Sequence, residues 1–252
     1  MIRVRGVKKS FGDLKVLRGI DLDIHDGETL VILGKSGEGK TVFLKILTGL
    51  LEPDSGSVII NGIDITKLTE RELNDIRLGM GIVFQENALF DFLTVKENVS
   101  ILFKELAKKL LKKEIKKENI DKKVKNILKL VGLEGKEDFY PQALSGGMKK
   151  RVAIARALIL NPYILFYDEP TSGIDPVTAS KINFLIKDLH DKLNITSIVV
   201  THDLNCAFFI CDRIALLSSG KIVFCGKKEE FLNSKIPQVK EFLESYYAIK
   251  SI

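Results

Sequence analysis

The chain alternates short, wholly apolar segments with longer segments in which apolar residues recur at helical spacing. The short segments predict strands buried on both faces, and they are TLVIL (29–33), YILFY (163–167) and TSIVV (196–200). Helical spacing follows two of them, from about Pro176 to Leu193 and again from near Asp203. This alternation predicts an α/β fold whose core is a mostly parallel sheet.

The two ends of the chain have other patterns. The N-terminal stretch MIRVRGVKKSFG alternates apolar and polar residues, which predicts a strand in an N-terminal antiparallel β part. Near the other end, RIALLSSGKIVFCG predicts a hairpin that turns at Ser219-Gly220. A C-terminal helical tail is predicted over about 236–252.

A lysine-rich stretch from about 95 to 135 interrupts the α/β pattern. Its apolar residues recur at helical spacing, and they are Leu106, Leu110, Ile120, Val124, Ile127, Leu128 and Val131. Another helix is predicted from Ser145 to Leu160. We therefore expect one domain over residues 1–252, with an inserted helical sub-domain at about 95–160.

Composition narrows the classes of function. With 45% hydrophobic residues among 252, the chain can bury a sizeable core, so disorder is not expected. No window approaches the ~20 apolar residues of a membrane-spanning helix, so any membrane association must pass through a partner or the protein surface. The net charge of +6 reflects the lysines of 104–129 above all. There a solvated helical face is favoured over a nucleic-acid patch, and contact with anionic headgroups stays open.

The segment GKSGEGKT (34–41) has the glycine, lysine and threonine spacing of a phosphate-binding loop. It lies between a predicted strand and a predicted helix, which is the order that such a loop needs. Backbone N–H groups and the helix N-terminus would cradle nucleotide phosphates, while Lys40 would reach the β and γ phosphates and Thr41 would ligate Mg²⁺. Glu38 is unusual in such a loop, and we expect its carboxylate to point away from the phosphates.

Polar residues end three further strands. Asp168 and Glu169 follow ILFY, and ligands of open α/β sheets bind at the carboxyl edge. Asp168 is therefore predicted to hold Mg²⁺ through its water shell, and Glu169 to orient and deprotonate the attacking water. His202 ends the strand in VVTHDL and is predicted to hydrogen-bond the γ-phosphate. Gln85 follows the strand GIVF and is predicted to reach both Mg²⁺ and the water.

These segments, together with LSGGM at 144–148, resemble the ATP-binding cassette (ABC) ATPases over essentially the whole chain. The resemblance implies the P-loop ABC ATPase fold and hydrolysis of ATP with Mg²⁺. It also implies a homodimer with two shared sites, in which each ATP lies between one copy's phosphate loop and the other copy's Ser145–Gly147. Phe11 is implied to stack on adenine, and Asp175 to couple the two sites. The implied nucleotide-binding residues are Phe11, Gly34, Lys35, Ser36, Gly37, Gly39, Lys40, Thr41, Val42, Ser145, Gly146 and Gly147.

Met148 stands where most of these ATPases have glutamine. LSGGM followed by KKRVAIARA is similar to the subgroup serving Mce-type lipid transporters, the MlaF-like proteins, and VFQENALFDFLTVKENV (83–99) resembles the same subgroup. This resemblance implies phospholipid transport between the bacterial inner and outer membranes, from the cytoplasmic face of the inner membrane. The implied partners are an MlaE-like permease and an MlaD-like Mce-domain protein, and a STAS-domain protein is left open.

An apolar loop follows Gln85 directly, and it contains Leu89, Phe90, Phe92 and Leu93. These side chains would either pack on the chain's own helical sub-domain or dock a cytoplasmic helix of the membrane subunit. Two other functions stay open: a transporter ATPase for another substrate, and a soluble ABC protein acting on RNA, ribosomes or DNA. Only the lysine-rich segment points to the latter, so no nucleic-acid partner is expected.

Overall fold

The computed structural model describes residues 1–110 and 117–250, with side chains described except at 106–110, 117 and 248–250. The strands are β1 (Ile2–Phe11), β2 (Leu14–Ile24), β3 (Thr29–Leu33), β4 (Ser55–Ile60), β5 (Ile63–Asp64), β6 (Met80–Val83), β7 (Ile164–Asp168), β8 (Thr196–Thr201), β9 (Arg213–Ser218) and β10 (Lys221–Gly226). The helices are α1 (Lys40–Leu47), α2 (Glu70–Arg77), α3 (Val95–Leu110), α4 (Lys117–Leu130), α5 (Gly146–Leu158), α6 (Pro176–Leu193), α7 (Leu204–Ile210), α8 (Lys228–Leu232) and α9 (Pro237–Lys250).

The chain divides into two compact units. Unit 1 comprises Met1–Arg77 and Lys187–Ile252, and unit 2 comprises Leu78–Ile186. The single domain with a sub-domain at about 95–160 stays a prediction, as does the boundary of the tail. The predicted apolar side chains of Leu106 and Leu110, part of the lysine-rich stretch and residues 251–252 lie outside the described residues.

Unit 1 contains two sets of paired strands. The predicted N-terminal antiparallel part is present as β2-β1-β4-β5, in which the alternating pattern of β1 buries Ile2, Val4 and Val7. In the other set β3 pairs in parallel with both β8 and β9, and β10 pairs antiparallel with β9. Every residue of β3 and of β8 is buried, as wholly apolar strands in a parallel sheet require.

Unit 2 combines a parallel pair of strands with helices. β6 pairs with β7 in register from Met80 with Ile164 to Val83 with Tyr167. The predicted lysine-rich stretch forms α3 and α4, and its side chains at Ile120, Val124 and Leu128 are buried at helical spacing. The α/β fold class, with mostly parallel pairing and an antiparallel N-terminal part, is thereby confirmed.

Most element boundaries agree with the sequence patterns, and the exceptions have local causes. The helix predicted from Ser145 to Leu160 is α5, which begins at Gly146 because Ser145 is its N-cap, and which ends at Leu158. Helix α2 is absent from the predictions because Leu73 is its only buried residue. Within residues 1–110 and 117–250, no helix has the length and apolar character needed to cross a membrane.

Candidate nucleotide-binding and catalytic site

The phosphate loop of unit 1 is shaped by three glycines. Strand β3 ends at Leu33, and a Cβ atom on Gly34 would lie 2.6 Å from the carbonyl oxygen of Leu217. Gly37 and Gly39 have φ angles of 83° and 95°, and a Cβ atom on Gly39 would lie 2.7 Å from Val16. Helix α1 then begins at Lys40, and Gly39 provides no side-chain cap for its first-turn N–H groups. These groups are the expected donors to a phosphate.

Lys40 folds back over the same loop. Its Nζ donates hydrogen bonds to the carbonyl oxygens of Gly34, at 2.9 Å, and Lys35, at 3.1 Å. The side chain is buried, with 6% of its surface exposed. An ammonium group held in this way is placed at the loop that the sequence predicts to receive phosphates. Thr41 and Val42 follow in the first turn of α1 and are half-buried.

Unit 1 also contains Phe11 and His202, which are predicted from the sequence to contact adenine and the γ-phosphate. Phe11 ends β1 with 49% of its surface exposed, so its side chain is accessible to a stacking partner. His202 directly follows the buried strand β8 and is itself exposed. Asp203, the next residue, caps α7 by accepting a hydrogen bond from the N–H of Asn205 at 2.8 Å. The sequence prediction that His202 leaves the sheet at a carboxyl edge therefore agrees with the structure.

In unit 2 the acidic pair lies at the end of β7. Asp168 is the last residue of this buried strand, and Asp168 and Glu169 are 5% and 8% exposed. Glu169 has a φ of 46°, a left-handed conformation that disfavours residues with a Cβ atom. Such strain persists only where the surrounding structure imposes it, and it is common at functional sites. The turn after it is closed by a hydrogen bond from the N–H of Ser172 to the carbonyl oxygen of Glu169.

A buried cation that the sequence does not indicate lies beside this pair. Lys150 of α5 is 2% exposed, and its Nζ donates a hydrogen bond of 2.5 Å to the carbonyl oxygen of Gln85. Burial lowers the pKa of the Lys150 ammonium, while the negative charges of Glu86, Asp168 and Glu169 act in the opposite direction. The Lys150 side chain therefore holds the backbone at Gln85 and also interacts electrostatically with Asp168 and Glu169.

The segment Ser145–Gly147 forms the start of α5 in unit 2. The Ser145 hydroxyl caps the helix by accepting a hydrogen bond from the N–H of Met148 at 3.3 Å. A Cβ atom on Gly147 would lie 2.3 Å from Cγ2 of Thr178 in α6, so close packing alone requires glycine there. Asp175 caps α6 in turn by accepting hydrogen bonds from the N–H groups of Val177 and Thr178. Hydrogen bonds from Thr178, and then from Val177, hold the pKa of Asp175 below its usual value.

The predicted Mg²⁺ ligands suit an ion that is bound together with phosphates. Asp168, Thr41 and Gln85 would supply oxygen atoms, which Mg²⁺ prefers, and Asp168 is the only carboxylate among the three. The part of the chain that the structure describes contains no cluster of three or more His, Cys, Asp or Glu side chains able to hold a metal. Mg²⁺ in ATPase sites needs only one or two carboxylates plus the substrate phosphates, so the donor set fits.

A buried strand, a glycine loop and a helix, together with an acidic pair ending another buried strand, define an α/β nucleotide-binding protein. The family model for the ABC transporter matches residues 17–172. The chain belongs to this family, as an ATP-binding cassette. It is an ATPase that binds ATP, with Mg²⁺ as the usual partner, and family members act as dimers with a membrane permease.

Similar proteins support this assignment. The chain is 41% identical over 242 residues to the probable ribonucleotide transport ATP-binding protein mkl of Mycobacterium leprae, covering 96% of this chain and 68% of that protein. It is 41% identical over 244 residues to the methionine import ATP-binding protein MetN of Clostridium tetani, covering 97% and 74%. The solved dimer of the ATP-binding cassette MJ0796 bound to ADP and Pi is 36% identical, with a TM-score of 0.80 over 90% of this chain and 98% of that one.

Replacement of Lys150 by methionine is expected to lower ATP turnover by about tenfold, because the Gln85 carbonyl and the acidic pair lose a buried cation. Methionine keeps the apolar length of the side chain but leaves the carbonyl oxygen of Gln85 without its donor, so the thermal unfolding temperature should fall too, and turnover is compared well below that temperature. The matched control is Lys149→Met, since Lys149 is a half-buried neighbour on the same helix. Steady-state hydrolysis at saturating ATP measures the effect. Equal rates for the two variants would show that Lys150 has no role in turnover.

Proposed function

We propose that this ATPase energises phospholipid transport between the inner and outer membranes of a bacterium. LSGGM and the segment 83–99 resemble the cassettes of Mce-type transporters, and the proposal rests on that resemblance. The observation that carries the link to a membrane subunit is the docking loop, residues 87–94, whose backbone is fixed by buried side chains while two phenylalanine rings face outward.

Asn98 of α3 fixes one half of the docking loop. It is fully buried, and its amide nitrogen donates hydrogen bonds of 3.0 Å to the carbonyl oxygens of Phe90, Leu93 and Thr94. Its amide oxygen accepts a hydrogen bond of 2.8 Å from the N–H of Phe90. One side chain thus contacts four backbone groups, with its two N–H donors shared among three carbonyl oxygens, and orders a loop that has no strand pairing of its own.

Arg156 of α5 fixes the other half of the docking loop. Its guanidinium donates hydrogen bonds to the carbonyl oxygens of Asn87, at 2.7 Å, and Ala88. Asn87 and Ala88 have left-handed φ angles of 60° and 49°, so the backbone turns sharply where the arginine holds it. Burial lowers the pKa of the Arg156 guanidinium. A buried cation is retained here because it replaces hydrogen bonds that the loop cannot make to itself.

The outward face of the docking loop is apolar. Phe92 is 75% exposed and Phe90 is 42% exposed, with their ring centroids 5.7 Å apart, whereas Leu89 and Leu93 are half-buried. The leucines are partly covered, and the phenylalanines supply an exposed apolar pair. Fixed loops lose little entropy on binding, so this pair suits the cytoplasmic helix of a permease.

The proposed function implies a transporter assembled from several proteins. An MlaE-like permease binds the docking loop of each ATPase copy, an MlaD-like Mce-domain protein completes the transporter, and a STAS-domain protein is a further candidate partner. The ATPase then lies peripherally at the cytoplasmic face of the inner membrane. A transporter for another substrate is the second candidate, because relatives of the chain are named for ribonucleotide, methionine and sulfate transport.

The residue roles proposed for the site rest on the family resemblance and on the positions of these residues at the ends of strands and helices. Lys40, the loop amides and the partner copy's Ser145–Gly147 neutralise and position the phosphates. Glu169 accepts a proton from the attacking water, and Gln85 and His202 orient the water and the γ-phosphate. Mg²⁺, when bound with Thr41, Gln85 and Asp168, supplies further charge neutralisation for the transferred phosphoryl group.

Affinity purification of the tagged chain from native membranes in mild detergent tests the transport assignment. Recovery of a multi-spanning permease with an Mce-domain protein, and of phospholipid in the complex, would support it. Recovery of a permease with a soluble substrate-binding protein would move the function to the second candidate. Ribosomal proteins or nucleic acid without a membrane subunit would leave only the ATPase chemistry in place.

Replacement of Phe92 by serine is expected to reduce co-purified permease by about tenfold, since a large exposed ring commonly dominates a small interface. The matched control is Leu232→Ser, which removes an exposed apolar side chain of α8 with 41% of its surface exposed. Quantitative mass spectrometry of permease per ATPase gives the ratio. A permease yield that is unchanged in Phe92→Ser would place the docking surface elsewhere.

A further inference from the structure

Glu38, in the middle of the phosphate loop, contacts a turn that is remote in sequence. Its Oε2 accepts a hydrogen bond of 2.5 Å from the N–H of Ser219, and both residues belong to unit 1. Ser219 lies in the turn between β9 and β10. The carboxylate therefore points toward the β9–β10 turn. The sequence predicts only that it points away from the phosphates, and the structure shows which group it contacts instead.

The β9–β10 turn is built to offer this N–H group. Ser219 and Gly220 have φ angles of 50° and 74°, which is the conformation of a two-residue hairpin turn of type I′. The flanking residues Ser218 and Lys221 pair with each other, so the turn itself does not use the N–H of Ser219. The N–H group is left available for an acceptor from outside the hairpin.

The turn is also held rigidly beside the loop. The carbonyl oxygen of Gly220 accepts a hydrogen bond of 2.8 Å from the N–H of Arg18 in β2. A Cβ atom on Gly220 would lie 2.5 Å from the carbonyl oxygen of Val16, and a Cβ atom on Gly39 would lie 2.7 Å from the side chain of the same valine. Strand β9 pairs with β3, which leads into the loop. The β9–β10 turn is therefore a fixed point to which the glycine-rich loop can be attached.

The loop needs such an attachment because of its glycines. Gly37 and Gly39 flank Glu38, and glycine loses more conformational freedom on ordering than any other residue. A ligand that must order the loop binds more weakly by that entropy. We propose that Glu38 is a positioning residue, which fixes the phosphate loop through the N–H of Ser219 before the nucleotide binds. This inference rests on the proposed role of residues 34–41 in phosphate binding.

Glu38 has two opposed effects on a bound nucleotide, and they differ in sign. As a negative charge near phosphates it weakens binding, and removal of the charge alone would strengthen binding. As an anchor it strengthens binding, and removal of the acceptor would weaken it. Salt screens the longer-range charge effects of a half-exposed carboxylate strongly, whereas it weakens a direct hydrogen bond much less. The direction of the change therefore distinguishes the two roles.

A second carboxylate that contacts the same loop provides a matched control. Oε1 of Glu241 in α9 lies 2.6 Å from Nζ of Lys35, but the two side chains are 68% and 50% exposed. Exposed ion pairs of this kind contribute little. Glu241→Ala therefore removes a carboxylate from the neighbourhood of the loop without removing a backbone anchor, and it should leave ATP affinity unchanged.

The experiment compares Glu38→Ala, Glu38→Gln and Glu241→Ala in the full chain by equilibrium binding of MgATP and by steady-state hydrolysis at low and high salt. In Glu38→Ala the dissociation constant and KM for ATP are expected to rise about fivefold at both salt concentrations, with kcat within about twofold of the unsubstituted protein. Glu38→Gln keeps a carbonyl acceptor, so its affinity should return to within about twofold of the unsubstituted protein.

Three results would overturn the proposal: tighter ATP binding in Glu38→Ala, unchanged binding in Glu38→Ala, or a Glu38→Gln variant as weak as Glu38→Ala. Equal thermal unfolding temperatures without nucleotide show that none of the variants is simply unfolded. A failure of the phosphate-loop assignment is distinguishable, because Lys40→Ala would then also bind ATP normally.

Discussion

Replacement of Glu169 by glutamine is expected to lower ATP turnover by a factor of about 10² to 10⁴ while ATP binding is retained, because the carboxylate that accepts the proton of the attacking water is lost. Glutamine has nearly the same shape, and Glu169 is almost fully buried at the end of β7, so the local packing should persist. With hydrolysis blocked, ATP stays between the two cassettes, and the nucleotide-bound dimer should accumulate.

The measurement combines phosphate release with the molar mass in solution, each with and without MgATP. Glu134→Gln is the matched control, because Glu134 is an exposed carboxylate in the same unit. It should hydrolyse ATP normally and form no trapped dimer. If Glu169→Gln hydrolysed ATP at the unsubstituted rate, the role of general base would belong to another residue.

The strained backbone at Glu169 gives this variant a further use. The φ of 46° is costly for glutamate and glutamine alike, but not for glycine. Glu169→Gly should therefore be as inactive as Glu169→Gln and yet unfold at a higher temperature than Glu169→Ala, which loses the same buried carboxylate but keeps the Cβ atom. Such a gain in stability with a loss of turnover would indicate that the strain is retained for the placement of the carboxylate.

The segments that the sequence predicted best are those in which local chemistry determines structure. Strand β3 depends on an apolar run, the loop after it on glycines, and helix α1 on helix propensity. Each of these signals can be recognised in a few consecutive residues. The Ser219-Gly220 turn is legible for the same reason. Asp168 was predictable because it directly follows a wholly apolar strand.

The contacts that the sequence did not reveal join residues far apart in the chain. KKR at 149–151 gives no indication that Lys150 is buried while Lys149 is half-exposed, because burial depends on the carbonyl oxygen of Gln85, 65 positions earlier. The anchor of Glu38 lies 181 positions later. Nor does any local pattern mark Asn98 as the residue that holds the docking loop. Such polar contacts are fixed by the tertiary fold and have no period along the chain.

Replacement of Lys40 by alanine is expected to weaken ATP binding by about 10- to 100-fold, because charge-assisted hydrogen bonds to phosphate are among the strongest that a side chain makes. The ammonium is held by the carbonyl oxygens of Gly34 and Lys35, so it is already oriented within the loop. Alanine removes the charge and also the two hydrogen bonds that Lys40 donates to the glycine-rich loop.

The effect of Lys40→Ala is measured by the rise in unfolding temperature on addition of MgATP, since a ligand stabilises the folded state in proportion to the logarithm of its concentration over Kd. The matched control is Lys45→Ala, which removes an exposed lysine from the same helix and should keep the full rise. The double variant Lys40→Ala with Glu169→Gln should form no trapped dimer, because trapping requires bound ATP. A trapped dimer in that variant would show that the cassettes associate without the phosphate loop, and normal ATP binding by Lys40→Ala would place the phosphates elsewhere.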